Sequence, residues 1–517
     1  MFFPSDQGGT AWLLVGGGRV VYRLLKRQTR RYGNKTVIIG EHRSLSYRQL
    51  LREVDQAAIY LQSLNVGPGA MVLLGMPPSP EFYVVFYATA ALGLTAIPVL
   101  PSGKISKVIA DANPAIAVGD AGFLREAAKL CPTLRHEIRW DRENGLGLAP
   151  EPRRFVRTKT LREEPVVGVS SSGTTGVPSI YYRSAELLVR RSEFRAKALG
   201  IGPDDVLLSA RPYNSGSSIN SHVVLPIVAG CSIVVQEKFQ RFQAAAAIAA
   251  QQVTVLYSVP FIFELLASIP KSYSYDFSSL RLCISGSAPL SKAVADAFLA
   301  RFGFEIRQRY GGSHIHPAFT FNAHGVSQSV GQTTGPFPIV ILDEAGDPLG
   351  TNSIGEIAFD FARIPRAWKK HLKANPNRKG RYIFTGDLGR TDTEGNVFVV
   401  GRKSSFIKVK GNRVEPAEVE EVLRSHPKVK EAFVFAVHPG QPEEQVGAVV
   451  ATTEPIEEES LVQYCAHHIE PYKCPRRIEV RRAMPRNEHG KVTRYLLEET
   501  SHGPALDEAR GRELDPK

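Results

Sequence analysis

Hydrophobic and polar positions alternate along this chain in two distinct rhythms. The stretch "SLSYRQLLREVDQAAIYLQSL" places Leu50, Val54, Ala57 and Leu61 at helical spacing, so one face is apolar and the other charged. Ser46 and Gln49 stand three apart ahead of it, the spacing of a capping box, and set the helix start there. Runs such as "VTVLYSV" (253–259) and "LRLCISG" (280–286) are short, β-branched and apolar, and predict buried strands. Alternation of the two rhythms over about the first 400 residues predicts an α/β fold. Phe82 to Leu100, "FYVVFYATAALGLTAIPVL", carries no charge over nineteen residues, long enough to span a bilayer. Gly93, Pro98 and two threonines favour instead a buried helix running into a buried strand.

The rhythm changes near residue 400. "NVFVVGRKSSFIKVKGNRVEPAEVEEVL" passes from strand to a polar, basic crossing and then to a helix. Pro416 falls in that helix's first turn, with Glu418 and Glu420 near its positive end. The expected organisation is a large domain over 1–402, a small α+β domain over 403–500 and a disordered polar tail over 501–517. No repeat of fixed period is present.

Composition narrows the partners. A net charge of +13, from 64 basic and 51 acidic residues, suits anionic partners such as nucleotides, coenzyme A or acidic carrier proteins. No zinc knuckle or RNA-binding motif accompanies it, so nucleic acid is not an expected partner. The five cysteines are scattered and never spaced as CxxC, which points to a reducing, cytoplasmic setting. The basic stretch "RVVYRLLKRQTRR" (19–31) reads as a solvated helix face, and membrane contact is not expected.

One loop suggests phosphate chemistry. "SSSGTTGVPSIYY" (170–182) follows an apolar run, and its glycines and hydroxyls could turn donors toward phosphate oxygens. It contains no lysine, and the Walker pattern GxxxxGK[ST] is absent. Alone it would be an ordinary polar turn. It is followed in order by "ISGSAPL" (284–290), "RYGGSH" (309–314), "YIFTGDLG" (382–389), "GRKSSFIKVKGNRVEPAEVE" (401–420) and "PRNEHGKVTRYLL" (485–497). Together these resemble the adenylate-forming superfamily, which includes acyl-CoA synthetases, the adenylation enzymes of nonribosomal peptide assembly, and luciferases.

The resemblance, over roughly residues 35–497, implies a large α/β domain built in subdomains and a small mobile C-terminal domain. It implies an ATP-dependent ligase that makes an acyl-adenylate and then passes the acyl group to a thiol. Ser171, Ser172, Gly173, Thr174, Thr175 and Gly176 would hold ATP phosphates. Gly286, Ser287 and Ala288 would line the adenine, Tyr310 would pack on it, and Gly311 would follow. Asp387 would accept both ribose hydroxyls, beside Arg402. Lys491 would bridge the substrate carboxylate and the α-phosphate, where a fixed cation offsets the approach of two anions. Ser313 and His314 complete the implied catalytic positions, and Lys403 with Ser404 the implied pivot between half-reactions. Tyr213, Asn214 and Gly312 would border the acid, and "VPFIFELLAS" would give its pocket apolar walls.

Two phosphate-side positions depart from the family pattern. The loop ends in Pro178-Ser179 where relatives carry "PK", and His314 stands where a glutamate would hold magnesium. Imidazole is a poor ligand for magnesium, so Mg2+ is expected to bind weakly or be held otherwise. Each lost charge-assisted contact costs about 1.5–3 kcal/mol. Three explanations stay open: adenylation with altered metal binding, specialisation for an unusual cosubstrate or acceptor, or a repurposed, non-catalytic adenylate fold. His314 and His316 form an HxH pair with only His324 nearby, so no metal site is assigned. The tail lacks a GxxS carrier attachment site, so the acceptor would be coenzyme A or a separate carrier protein. Lys473, Arg476, Arg477, Arg481, Arg482 and Arg486 form a basic cluster suited to either acidic acceptor, or to solvent.

Overall fold

The structure is a computed structural model; it describes residues 19–100, 105–148, 165–170, 180–311, 320–334, 337–365, 369, 375, 377–403, 407–409, 412–437 and 444–485. The chain divides into two compact units, one of residues 1–338 with 363–376 and one of residues 339–362 with 377–517. The architecture is mixed α/β, with a large N-terminal part and a smaller C-terminal one.

The larger unit is built on two seven-stranded sheets. The first runs in the order Ile306–Gln308, Leu282–Ser285, Val255–Ser258, Val206–Ser209, Ser232–Val235, Thr36–Ile39, Ser44–Ser46, and every neighbouring pair except the last is parallel. The second has a parallel middle, Met71–Gly75 between Ile116–Gly119 and Thr95–Pro98, and antiparallel pairs at both ends. Parallel strands covered on both faces read as continuous apolar runs, which is why 253–259 and 280–286 could be recognised as strands. A single core, including Val72 of the second sheet and Ile233 of the first, is shared by both sheets. The helices Arg19–Tyr32, Tyr47–Ser63, Pro80–Leu92 and Ala185–Leu199 supply many of its other apolar side chains.

The expected local signals take the expected forms. Ser46 caps helix Tyr47–Ser63 through both arms of the box: Gln49 N–H donates to Ser46 Oγ at 3.3 Å, and Ser46 N–H to Gln49 Oε1 at 2.8 Å. The uncharged stretch from Phe82 lies in helix Pro80–Leu92, buried along its whole length. Ser79 caps it, and Gly93 ends it at φ +72°, a left-handed turn that a glycine enters without strain. Strand Thr95–Pro98 follows, also buried. Among the described residues, no helix is long and apolar enough to cross a membrane. In helix Arg19–Tyr32 the basic positions Arg23, Arg27, Arg30 and Arg31 face solvent, while Val20, Val21, Leu24 and Leu25 enter the core.

Between those helices lies a wide π-helical turn, Ile219–Val224, leading into helix Leu225–Ala229. Carbonyls of the turn and of the helix that follows it receive side chains from helices Arg19–Tyr32 and Pro80–Leu92. Tyr83 Oη donates to His222 O at 2.7 Å, Tyr87 Oη to Val223 O at 3.1 Å, and Gln28 Nε2 to Ile227 O at 2.8 Å.

The smaller unit carries an antiparallel sheet of Ile339–Leu342, Gly355–Asp360, Tyr382–Thr391 and Val397–Arg402, with Arg378–Lys379 at its side. A hairpin, Ile407–Val409 with Asn412–Val414, and a three-stranded sheet follow. Helices Pro416–Ser425 and Glu458–His468 close a core of Ile407, Val419, Leu423, Val434 and Leu461. Pro416 occupies the first helical turn and Glu418 lies in it, as the dipole favours.

Replacing Ser46 by alanine removes one acceptor from a helix whose start it defines. Thermal unfolding of Ser46→Ala is expected to show a loss of about 1 kcal/mol, and Ser46→Asp to retain most of it.

Candidate functional site

In the larger unit, four adjacent parallel strands end side by side: Val206–Ser209, Val255–Ser258, Leu282–Ser285 and Ile306–Gln308. Open parallel sheets bind ligands at the carboxyl ends of their strands. The residues that follow these ends include six of the sequence-predicted positions and two more. Arg211, Tyr213 and Asn214 follow the first strand, Gly286, Ser287 and Ala288 the third, and Arg309 and Tyr310 the fourth. The backbone joins these ends: Gly286 N–H donates to Ser258 O at 3.2 Å, and Arg309 N–H to Ser285 O at 2.9 Å. Tyr310 is pinned through its own backbone, its N–H reaching Thr320 Oγ1 at 3.1 Å and its carbonyl accepting Thr320 N–H at 3.1 Å.

Tyr213 and Asn214 differ in what they leave open. Tyr213 is buried against Phe82 and Tyr83, edge to face, and its hydroxyl meets that of Tyr83 at 2.9 Å. It is a wall fixed by packing. Asn214 is also buried, and its Oδ1 has no hydrogen-bond partner among the described residues.

Arginine dominates the charge here, and the sequence reading did not anticipate it. Arg183, Arg191, Arg195, Arg211 and Arg309 are each less than one-tenth exposed. Arg309 Nη2 donates to Ser217 Oγ at 2.8 Å, and its guanidinium lies 5.3 Å from the Tyr257 ring centre. Arg195 Nη1 donates to Asn220 Oδ1 in the π-helical turn. Burial first, and the Arg309 charge with it, push Arg211 and Arg195 down to about 10. Arg191 is pushed down by burial and then by Arg195, Arg183 and Arg309. Gly286 makes room for this arrangement: a Cβ there would stand 2.7 Å from Arg309 Nε.

His222 belongs to the same region. Its Nε2 donates to Tyr257 O at 2.9 Å, and Nδ1 lies 3.2 Å from Ser221 Oγ, which itself donates to Ser217 O at 2.6 Å. Burial, and next the Arg211 charge, lower it to about 3. It stays neutral at physiological pH and serves as a fixed strut.

In the smaller unit, Asp387 and Arg402 face each other in adjacent strands, and Arg402 Nε lies 2.9 Å from Asp387 Oδ1. Asp387 is buried, with Arg402 half exposed beside it. The turn is held by Thr385, whose Oγ1 donates to Ile357 O at 2.7 Å and accepts Asp387 N–H at 3.0 Å. Glu356 was not picked out from the sequence, yet it organises this corner. Its Oε1 accepts Gly386 N–H at 3.2 Å and its Oε2 meets Lys403 Nζ at 2.6 Å. A carboxylate in the strand facing "TGD" was the only available signal.

The phosphate-loop positions Ser171, Ser172, Gly173, Thr174, Thr175, Gly176 and Ser179 lie outside the described residues. So do Gly312, Ser313, His314, His316, Ser404, Arg486 and Lys491. Among the described residues no group of three metal-ligating side chains occurs. In the basic cluster, Lys473 is bound to Glu418 at 2.7 Å and to Glu470 at 2.9 Å, so part of its charge is already balanced. A separate cleft of about 740 Å³ is lined by Arg43, Glu53, Glu81, Trp140 and Arg142 among others. It holds none of the sequence-predicted residues, and Arg43 pairs with both glutamates.

The strand ends of the larger unit and the aspartate–arginine pair of the smaller one carry positions that the sequence resemblance singled out. Residues 25–361 match the AMP-binding enzyme family, and residues 418–491 match the AMP-binding enzyme C-terminal domain. The chain belongs to this family, which lies within the adenylate-forming superfamily. It is 27% identical over 495 residues to 4-coumarate–CoA ligase 3 of Oryza sativa subsp. japonica, covering 88% of this chain and 87% of that one. It is 28% identical over 505 residues to the fatty acid–[acyl-carrier-protein] ligase ScoC of Streptomyces coeruleorubidus, covering 90% and 93%. Among solved structures, ATP-bound MatB from Rhodopseudomonas palustris superposes with a TM-score of 0.81 at 25% identity, over 92% of this chain and 98% of that one.

The neutral His222 gives a pH signature. The unfolded histidine takes up a proton near its ordinary 6.5, while the folded one resists until about 3. Its contribution to stability is therefore full above the unfolded value and is lost as pH falls toward 3. Urea unfolding of His222→Gln should depend less steeply on pH than wild type between about pH 6 and pH 4, by up to about 1.4 kcal/mol per pH unit.

Proposed function

We propose that the protein is an ATP-dependent ligase that activates a carboxylic acid as its acyl-adenylate and transfers the acyl group to coenzyme A or a carrier-protein thiol. What carries the reading is Asp387, a buried carboxylate paired with Arg402 at the position where the superfamily meets the ribose. Its support is the match to acid–thiol ligases along nearly the whole chain, including one whose acceptor is an acyl carrier protein.

In this reading Asp387 receives the ribose hydroxyls, and Arg402 orients that carboxylate while remaining open on its other side. Tyr310 and the segment Gly286–Ala288 border the adenine, and the hydroxyls from Ser171 to Thr175 hold phosphate. Lys491 stabilises the charge that develops as the acid attacks phosphorus. Domain exchange between the two half-reactions pivots at Lys403 and Ser404, the boundary of the 1–402 and 403–500 domains. His314 does not fit a magnesium ion, because imidazole replaces a hard oxygen ligand. The enzyme works in the cytoplasm on a small acid, with neither nucleic acid nor membrane as a partner.

A second reading has an observation of its own. Ser179 and His314 both replace charges on the pyrophosphate side, which fits an adenylate fold repurposed for binding or for an unusual acceptor.

ATP–pyrophosphate exchange across aliphatic, aromatic and amino acids separates the two. Exchange that depends on the acid, and falls at least about 100-fold in Lys491→Ala, is the expected result. AMP or ATP binding without exchange for any acid would establish the second reading instead. His314→Glu should lower the magnesium concentration giving half-maximal exchange; an unchanged metal dependence would sink the assignment of that position.

A further inference from the structure

We propose that the buried arginines around Arg211 and Arg309 receive the second anionic group of a doubly charged acid, so that the preferred substrate is a dicarboxylate activated at one end and held at the other. This rests on the ligase reading above and adds the class of acid.

The placement comes first. Both arginines leave the carboxyl ends of parallel strands in the same sheet, Arg211 two residues before Tyr213 and Arg309 immediately before Tyr310. They therefore lie at the edge that also presents the residues bordering acid and adenine. The phosphate loop, by contrast, begins after strand Pro165–Ser170 of the other sheet.

Charge comes second. Arg211 is 6% exposed and pairs with no carboxylate among the described residues, and its Nε and Nη1 have no hydrogen-bond partner there. The charged neighbour that acts on it most strongly is another cation, Arg309. A buried charge is costly unless it is paired, and removing a charge's partner leaves most of that cost standing. Neutral groups nearby make the same point. Asn214 Oδ1, Tyr257 Oη, Ser258 Oγ and Ser285 Oγ are buried without a hydrogen-bond partner among the described residues. Buried polar atoms are nearly always satisfied, so several orphans at the same strand ends as an unpaired guanidinium call for a partner that the described residues do not supply.

The geometry selects the ligand. A guanidinium presents two parallel N–H groups that match the two oxygens of a carboxylate, and the phenol and serine hydroxyls supply further donors. A monocarboxylic acid whose one carboxylate is being adenylated would leave this set empty. A site built to hydrogen-bond a substrate group rejects the analogue lacking it far more strongly than an apolar pocket rejects a missing methylene.

The experiment compares acids of equal chain length that differ in the distal group: butanoate with succinate, pentanoate with glutarate, hexanoate with adipate. Each is measured by ATP–pyrophosphate exchange and, without nucleotide, by calorimetric binding to the full chain. At least one dicarboxylate is expected to exceed its monocarboxylate partner by at least about 100-fold in kcat/KM and to bind measurably when the partner does not. Arg211→Gln should remove that advantage, mainly through KM, while leaving the ATP dependence unchanged; Arg211→Lys should restore part of it.

Monocarboxylates exchanging as well as every dicarboxylate would overturn the proposal and leave the ligase reading intact. So would an Arg211→Gln variant that raises the ATP KM equally for all acids, which would place the polyphosphate on these arginines. Should no acid support exchange, the ligase reading fails and calorimetry decides: dicarboxylate binding lost in Arg211→Gln supports the anion site, and its absence in wild type removes it. Should Arg211→Gln fail to fold, the paired acids on the wild type still decide.

Discussion

Burying tyrosine and glutamine side chains among apolar helices is possible only if each polar end finds an acceptor, and the larger unit is organised around that requirement. Helix Pro80–Leu92 is buried on all sides, so the hydroxyls of Tyr83 and Tyr87 have no water to fall back on. Both reach carbonyls in the π-helical turn Ile219–Val224, and Gln28 reaches two more in the helix that follows. A regular α-helix would engage those carbonyls along its own axis. The wider turn presents them sideways, as π-helical segments at functional sites often do. The same turn carries Asn220 toward Arg195 and His222 toward the Tyr257 carbonyl. Packing and candidate chemistry thus depend on one strip of backbone.

The charged interior follows from this support. Guanidiniums can be kept in a low-dielectric region when aromatic faces and amide oxygens share the load, as Tyr257 does for Arg309 and Asn220 for Arg195. The smaller unit solves its own charge problem differently. There Glu356 and Asp387 are each matched to a cation, Lys403 and Arg402. The two units accordingly present opposite local characters, one with cations in excess and one with balanced pairs.

Much of this was legible in the sequence because it was local. The Ser46–Gln49 box, the Gly93 stop and Pro416 act within a turn of where they stand, and neighbours in sequence suffice to recognise them. The strands at 253–259 and 280–286 could be recognised for the same reason, though they begin two residues later than the apolar runs. The family resemblance rested on six ordered motifs, and the match over 25–361 and 418–491 agrees with it. The arginine cluster was illegible because nothing local encodes it. In "SARPYN" and "RQRYGG" the arginines look like surface residues, which arginine usually is. Their burial arises only when four strand ends converge. Glu356 was missed for a similar reason, since its partners come from strands distant in sequence.

Gly286 has a significance that reaches past its role in packing. Arg309 runs through the space that any side chain at Gly286 would claim. A single methyl group there would compete with a cation for the same volume, so the polarity of this interior is governed from a position that carries no charge and no side chain. Diversification of such a fold need not proceed by exchanging the residues that touch a ligand. One added carbon on a neighbouring strand end would oblige the Arg309 side chain to take another course, and its loss would let that side chain return.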